Sequence, residues 1–179
     1  MDLLPQSGTS GTQTSATGIR TPNANGSSGI FAGWCTYNTF AEWAVKNGSA
    51  NLYGGATYTP NTASSLGTVN QNSDISGGVN TTLAASGAIG SIRFTNAAAR
   101  TITLTGFTLT NVSGGILETT LVGANANVID GGTLTSSNGQ DLVVIQNNTS
   151  GTLTISSVIA DGPTAIGLTK SGADRKSVV

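Results

Sequence analysis

The sequence predicts an all-β protein whose main body is a parallel β-helix, a solenoid of short strands, preceded by an aromatic-rich β unit; a β-sandwich is the alternative. Three observations carry the expectation. Apolar and polar residues alternate in many short runs, the breaks between runs are Gly, Asn, Ser and Asp, and similar runs return at close intervals. Alternation with period two puts successive side chains on opposite faces of a strand, so one face of each run is built for burial. The clearest copy is Thr-Ile-Thr-Leu-Thr-Gly-Phe-Thr-Leu-Thr at residues 101–110. It reads as two strands around Gly106, with Ile102, Leu104, Phe107 and Leu109 inward and the threonines outward; β-branched side chains suit that pleated surface.

The 179-residue chain is long enough for one domain with a real core, and 37% hydrophobic content argues against wholesale disorder. Only 8% of residues are charged, against about 25% in an ordinary soluble domain, so solubility rests on hydroxyls and amides. A net charge of −1 with scattered Lys and Arg offers no basic stripe for a phosphate backbone, so nucleic acid is not an expected partner. The single Cys35 excludes an intrachain disulfide. The opening Met1-Asp-Leu-Leu-Pro lacks the basic start and apolar centre of a signal peptide, and no apolar run reaches the length of a spanning helix. The segment is therefore expected either to be cytosolic or to be an internal piece of something longer, without membrane contact of its own.

In chain order, residues 1–28 read as a flexible lead-in, because Pro5 to Ser28 is Ser, Thr, Gly, Gln and Asn with little to bury. Residues 29–65 form the aromatic unit: seven of the nine aromatic residues lie between Phe31 and Tyr58. Within it, Gly33 to Tyr37 and Glu42 to Lys46 are expected to be strands joined across residues 38–41, a loop of hairpin length. Residues 66–173 carry the strand-like runs, at Val79 to Leu83, Gly90 to Phe94, Thr101 to Leu104, Phe107 to Leu109, Gly115 to Leu117, Asn127 to Ile129, Gly132 to Leu134, Leu142 to Ile145, Gly151 to Ile155, Val158 to Ile159 and Ile166 to Leu168. Grouped in threes they give coils of roughly 20 to 25 residues, a solenoid period. Turns longer than two residues and the recurring Gly-Thr-Leu-Thr at 132–135 and 151–154 favour stacked coils over hairpins. An uncapped solenoid exposes strand edges and core, so the aromatic unit is expected to be a cap over the open first coil or that first coil itself.

Residues 174–179, Asp-Arg-Lys-Ser-Val-Val, break the composition, with two of the seven basic residues. The codons GAT CGG AAG AGC GTC GTG, followed by TAG, encode them and match a common sequencing adapter. The expectation is a reading frame that ran into an adapter.

The order Gly90-Ser-Ile-Arg-Phe-Thr-Asn-Ala-Ala-Ala, Thr-Leu-Thr-Gly, Gly114-Gly-Ile-Leu, Gly131-Gly-Thr-Leu-Thr-Ser, Ile145-Gln-Asn-Asn-Thr, Val158-Ile-Ala-Asp-Gly and Gly167-Leu-Thr-Lys-Ser-Gly resembles bacterial autotransporter-associated β-strand repeat proteins. Gly33-Trp-Cys-Thr-Tyr-Asn with Glu42-Trp-Ala-Val is similar to a segment common ahead of those repeats. The likeness spans about residues 29–172. It implies a right-handed parallel β-helix in the exported passenger region of a surface or secreted protein, located extracellularly or on the bacterial outer surface. It also implies further repeats of the same protein as partners, with cell-surface glycans or proteins as possible targets.

Chemistry-bearing residues are few. Histidine is absent, which removes the commonest general base and metal ligand and excludes an internal Ser-His-Asp or Cys-His site. Cys35 reads as a small buried filler rather than a nucleophile. Asp130, Asp141 and Asp161 are spread across the coils, and Asp130 and Asp161 precede Gly, as turns require; clustered carboxylates would be needed for a polysaccharide lyase or hydrolase. Phosphate-binding and calcium-loop spacings are missing, and no cofactor or metal is expected. Arg93 and Arg100 read as outward, solvated or paired charges. Three functions follow: a non-catalytic stalk or adhesin segment, a polysaccharide-active enzyme on the same scaffold, or a carbohydrate-binding module stacking sugars on Trp34, Tyr37 and Trp43.

Overall fold

A computed structural model describes residues 1–3, 19–46, 48, 51–61, 66, 68–77, 79–137 and 139–174. The adapter reading of residues 175–179, and the lead-in reading of residues 4–18, lie outside them. The strands in chain order are β1 (Asp2–Leu3), β2 (Thr36–Tyr37), β3 (Glu42–Trp43), β4 (Val45–Lys46), β5 (Leu52–Tyr53), β6 (Thr59–Pro60), β7 (Asn72–Ile75), β8 (Thr81–Thr82), β9 (Gly87–Ile89), β10 (Ser91–Phe94), β11 (Thr101–Thr103), β12 (Thr108–Asn111), β13 (Gly115–Glu118), β14 (Asn127–Asp130), β15 (Thr133–Ser136), β16 (Leu142–Gln146), β17 (Leu153–Ile155), β18 (Val158–Ile159) and β19 (Leu168–Ser171). Among the described residues the only helical element is a 3₁₀ turn at Thr120–Val122.

The body is a β-solenoid of about four turns. Its first sheet runs β19-β16-β13-β10-β7-β6, its second β17-β14-β11-β8, and its third β18-β15-β12-β9. Every pairing in these sheets is parallel. A sandwich of hairpins would be antiparallel, so the alternative architecture is excluded. One coil separates each pair: Ile102 faces Ile129 and Ile129 faces Ile155, 27 and 26 residues on. The shortest spacing is the 14 residues from Thr59 to Ser73, and the longest the 28 from Gly115 to Val143. The coils thus vary more than the 20 to 25 residues expected, because the corners differ in length while the strands stay in register. The loop from β13 to β14 accommodates the 3₁₀ turn and buries Val122, whereas β7 reaches β8 in fewer residues.

Residues 101–110 make β11, a corner at Thr105 and Gly106, both with positive φ, and β12. Ile102, Leu104 and Leu109 are fully buried and Phe107 packs against the same core. Threonines pair along the outside, Thr108 with Thr133 and Thr110 with Thr135. The core is a set of columns, Ile92-Ile116-Val144 from the first sheet and Leu109-Leu134-Ile159 from the third. Each fully buried aliphatic side chain contributes about 1.5–3 kcal/mol relative to exposure.

The first sheet is covered on its outer face as well. Outward-facing Leu117, Val143 and Ile145 are buried under Ile30, Trp43 and Val45 of the aromatic unit. This explains why Leu-Val-Val-Ile at 142–145 is a continuous apolar run rather than an alternating one. The aromatic side chains of the unit therefore lie along the side of the coils, while its last strand, β6, pairs with β7 at the end of the first sheet. Its closest approach is backbone on backbone: a Cβ on Gly33 would sit 2.5 Å from Gly115 N, and one on Gly115 would sit 2.7 Å from Gly33 Cα. Only paired glycines permit that spacing.

Within the unit, Thr36 pairs with Trp43 and Tyr37 with Glu42 in the expected hairpin. Its connection, Asn38-Thr39-Phe40, takes three consecutive positive φ values of 60°, 56° and 57°, an uncommon state for residues with a Cβ. The lead-in residues that are described are not loose. Asp2–Leu3 add a parallel strand to β2 with Leu3 buried, and the Asn25 side chain binds both the N–H and the carbonyl of Lys46. Asp2 adds side-chain bonds to Thr36 and Phe40, and the Leu52 N–H donates to the Ile19 carbonyl.

Candidate functional site

Three charged or aromatic groups meet where the aromatic unit joins the coils. The Arg93 guanidinium pairs with Asp74, Nη2 to Oδ2 at 3.0 Å and Nε to Oδ1 at 3.2 Å. Its Nη1 donates to the Ala41 carbonyl at 3.0 Å, and its carbon lies 3.5 Å from the Tyr58 ring centroid. The Tyr58 hydroxyl in turn accepts the Trp43 N–H at 2.8 Å. Burial pushes the Tyr58 phenol up to about 12, against the lowering pull of Arg93 and the Trp43 hydrogen bond. Arg93 was expected at the surface; it is paired, as read, but its side chain and that of Asp74 are only 14% and 13% exposed, because the aromatic unit closes over them. Arg100 is held by the carbonyls of Gly77 and Ala99 and by Asn96.

The left-handed turn is pinned from three sides at the same junction. Asp2 Oδ1 accepts the Phe40 N–H at 3.0 Å, Asn147 Nδ2 donates to the Thr39 carbonyl at 3.2 Å, and Arg93 holds Ala41. Such over-determination is what allows a strained backbone to persist.

The three expected sugar-stacking residues are not brought together. Trp34 is 45% exposed, and its ring meets Phe31 edge-on with centroids 5.8 Å apart. Tyr37 and Trp43 are corrected to core residues, at 4% and 0% exposure in two different clusters. Trp43 packs against the coil at Gly115 and has no face left for a ligand. Cys35 is fully buried, and burial raises its thiol to about 11, with the chain's amino terminus pulling down and Asp2 adding to the rise. That is the inert thiol of a filler.

Two of the carboxylates that the sequence spacing separates meet at one loop: Asp161 Oδ1 accepts the Ile166 N–H at 3.0 Å and Asp141 Oδ1 accepts the adjacent Gly167 N–H at 2.7 Å. Asp130 leads into Gly131 and Gly132, both with positive φ, and a Cβ on Gly132 would lie 2.3 Å from the Phe107 carbonyl. Among the described residues no three His, Cys, Asp or Glu side chains are placed to hold a metal.

Sequence reasoning passed over Glu118, which is fully buried. Its Oε1 accepts from Gln146 Nε2 at 3.2 Å and Asn148 Nδ2 at 3.1 Å, and its Oε2 from Asn127 Nδ2 at 3.2 Å. The signal that could have found it is the register Phe94-Glu118-Gln146, which puts two polar residues on an otherwise apolar inward column. Three amide donors satisfy a group that would otherwise be costly to bury.

No protein-family model and no solved structure matches the chain. Over 151 residues, 82% of this chain, the sequence is 30% identical to the adhesin BmaC autotransporter of Brucella suis biovar 1 (strain 1330). The chain is a weak homologue of an autotransporter adhesin. This agrees with the resemblance read from the ordered motifs. The chain spans 4% of that adhesin's length. Among the described residues no helix is long and apolar enough to cross a membrane, which says nothing of a β-barrel.

Proposed function

We propose that the chain is a non-catalytic structural segment of a bacterial surface-exposed or secreted autotransporter-like protein, a stalk or adhesin framework that extends and presents surface. The homology to an adhesin carries this reading. The coil stack supports it, since in-register parallel sheets with a continuous core give an elongated and mechanically coupled body. Fold alone would not, because one scaffold hosts many activities.

Further coils of the same protein are the partners this reading requires. Val158 and Leu168 are 63% and 50% exposed, and Leu153, Ile155 and Ile159 are only partly covered where β17, β18 and β19 each pair on one side. An added coil would complete those ladders and remove an exposed edge.

The test is twofold. Single-molecule pulling on the full chain should show coil-by-coil resistance; featureless extension at low force would contradict a stalk. Incubation with alginate and polygalacturonate, with and without calcium, should release no unsaturated or reducing products. Turnover that disappears in Asp130→Asn, Asp141→Asn or Asp161→Asn would establish the enzyme reading instead.

A further inference from the structure

A cleft of about 400 Å³ opens between residues 24–32 and two successive coil corners, those that follow β12 and β15. That volume is in the range of small-ligand sites. Its lining combines the apolar side chains of Phe31 and Val112 with the hydroxyls and amide of Ser27, Ser113, Ser137 and Gln140. No lining residue bears an ionisable side chain. The corner backbones are already engaged: Val112 N–H donates to Ile89 O at 2.7 Å, Ser113 N–H to Gly90 O at 3.0 Å and Gln140 N–H to Ser137 O at 3.0 Å. On the coil side, the side chains of Ser137 and Gln140 therefore supply the recognition. The Phe31 ring is braced edge-on by Trp34, so the aromatic wall is held in place.

We propose that this cleft is a binding subsite for one or two rings of a neutral saccharide. The apolar face of a pyranose lies against Phe31, whose ring face is electron-rich and attracts polarised C–H groups. The sugar hydroxyls, each both donor and acceptor, exchange hydrogen bonds with Ser27, Ser137 and Gln140, which have the same dual capacity. A charged sugar would lose hydration without meeting an opposite charge. This site is distinct from a platform of Trp34, Tyr37 and Trp43, two of which are buried, and the scaffold reading stands or falls separately.

The experiment is a titration of the isotope-labelled full chain, followed by amide chemical shifts, with lactose, maltose and cellobiose as neutral probes and glucuronate as the charged one. Saturable shifts confined to residues 24–32, 112–113 and 137–140, with at least one neutral sugar binding more tightly than glucuronate, are expected. Gln140→Ala should weaken binding about fivefold, the loss of one net hydrogen bond, and Phe31→Ala should weaken it further. Should Phe31→Ala disturb the fold, the exposed Gln140 still decides. The proposal is overturned if no neutral sugar gives saturable shifts, if shifts fall elsewhere, if glucuronate binds as well, or if Gln140→Ala binds like the parent.

Discussion

The Arg93 guanidinium lies 3.5 Å from the centre of the Tyr58 ring while it clasps Asp74, one coil back, from the other side. This single side chain joins two coils to the aromatic unit. Arg93→Ala should cost about 2–4 kcal/mol, because it removes the ring contact and leaves Asp74 without its cation under cover. Arg93→Lys should fall between, keeping the charge but not the two-pronged contact. Chemical denaturation monitored by the emission of buried Trp43 checks both; parent-like stability of Arg93→Ala would refute the account.

The phenol of Tyr58 makes stability depend on alkaline pH. Its folded value, about 12, lies above the ordinary 10, so the neutral form is favoured in the fold. The corresponding stability is fully present below pH 10 and is lost as pH rises toward 12, amounting to roughly 3 kcal/mol. Denaturation midpoints of the parent should drop over that window more steeply than those of Tyr58→Phe. Parallel profiles would show that Tyr58 is not responsible.

Glu118 should tolerate only a replacement that still accepts hydrogen bonds. Glu118→Ala takes the acceptor from the Asn127 amide, leaves Gln146 and Asn148 only their backbone carbonyl acceptors, and should cost about 2–3 kcal/mol. Glu118→Gln keeps one acceptor and should cost less than half as much. Thermal unfolding of the two variants decides it, and equal losses would contradict the role of the acceptor.

Leu104 and Thr103 are neighbours with opposite fates. Leu104→Asp places a charge among fully buried aliphatic side chains and should loosen the adjoining coils as well as its own. Thr103→Lys faces outward beside Asp130 on the next coil and should be accepted. Limited proteolysis separates them: rapid cutting of Leu104→Asp at sites in several coils is expected, and the parent pattern for Thr103→Lys.

Cys35 should be unreactive toward maleimide in the folded chain at pH 8 and reactive on unfolding, because its thiol is fully buried and its ionisation is displaced to about 11. Rapid labelling under native conditions would overturn this.

The architecture was legible because alternation and corner chemistry repeat: residues 101–110 became β11, a Thr105-Gly106 corner and β12, close to the expected bounds. Strand β7 was not legible. Asn72 and Ser73 are polar, yet both are buried, and Asn72 is held by the carbonyls of Ser28 and Thr57 from a distant part of the chain. Local pattern carries no trace of such partners. The stacking candidates show the same limit from the other side. Trp34 and Trp43 are alike in type and near in sequence, but the apolar strip formed by Leu117, Val143 and Ile145 covers one and not the other. The inward Glu118 column becomes visible only once the register is known.

The meeting of Gly33 with Gly115 fixes the aromatic unit to one level of the stack and leaves the growth axis clear. Gene duplication or loss of whole coils after β19 would therefore change the reach of the protein without rebuilding its flank. The same contact makes the coil that begins at β13 an address: a coil inserted before it would carry Gly115 about one strand spacing, roughly 4.8 Å, away from Gly33. Length polymorphism in such a protein should accumulate downstream of that level and be purged upstream of it.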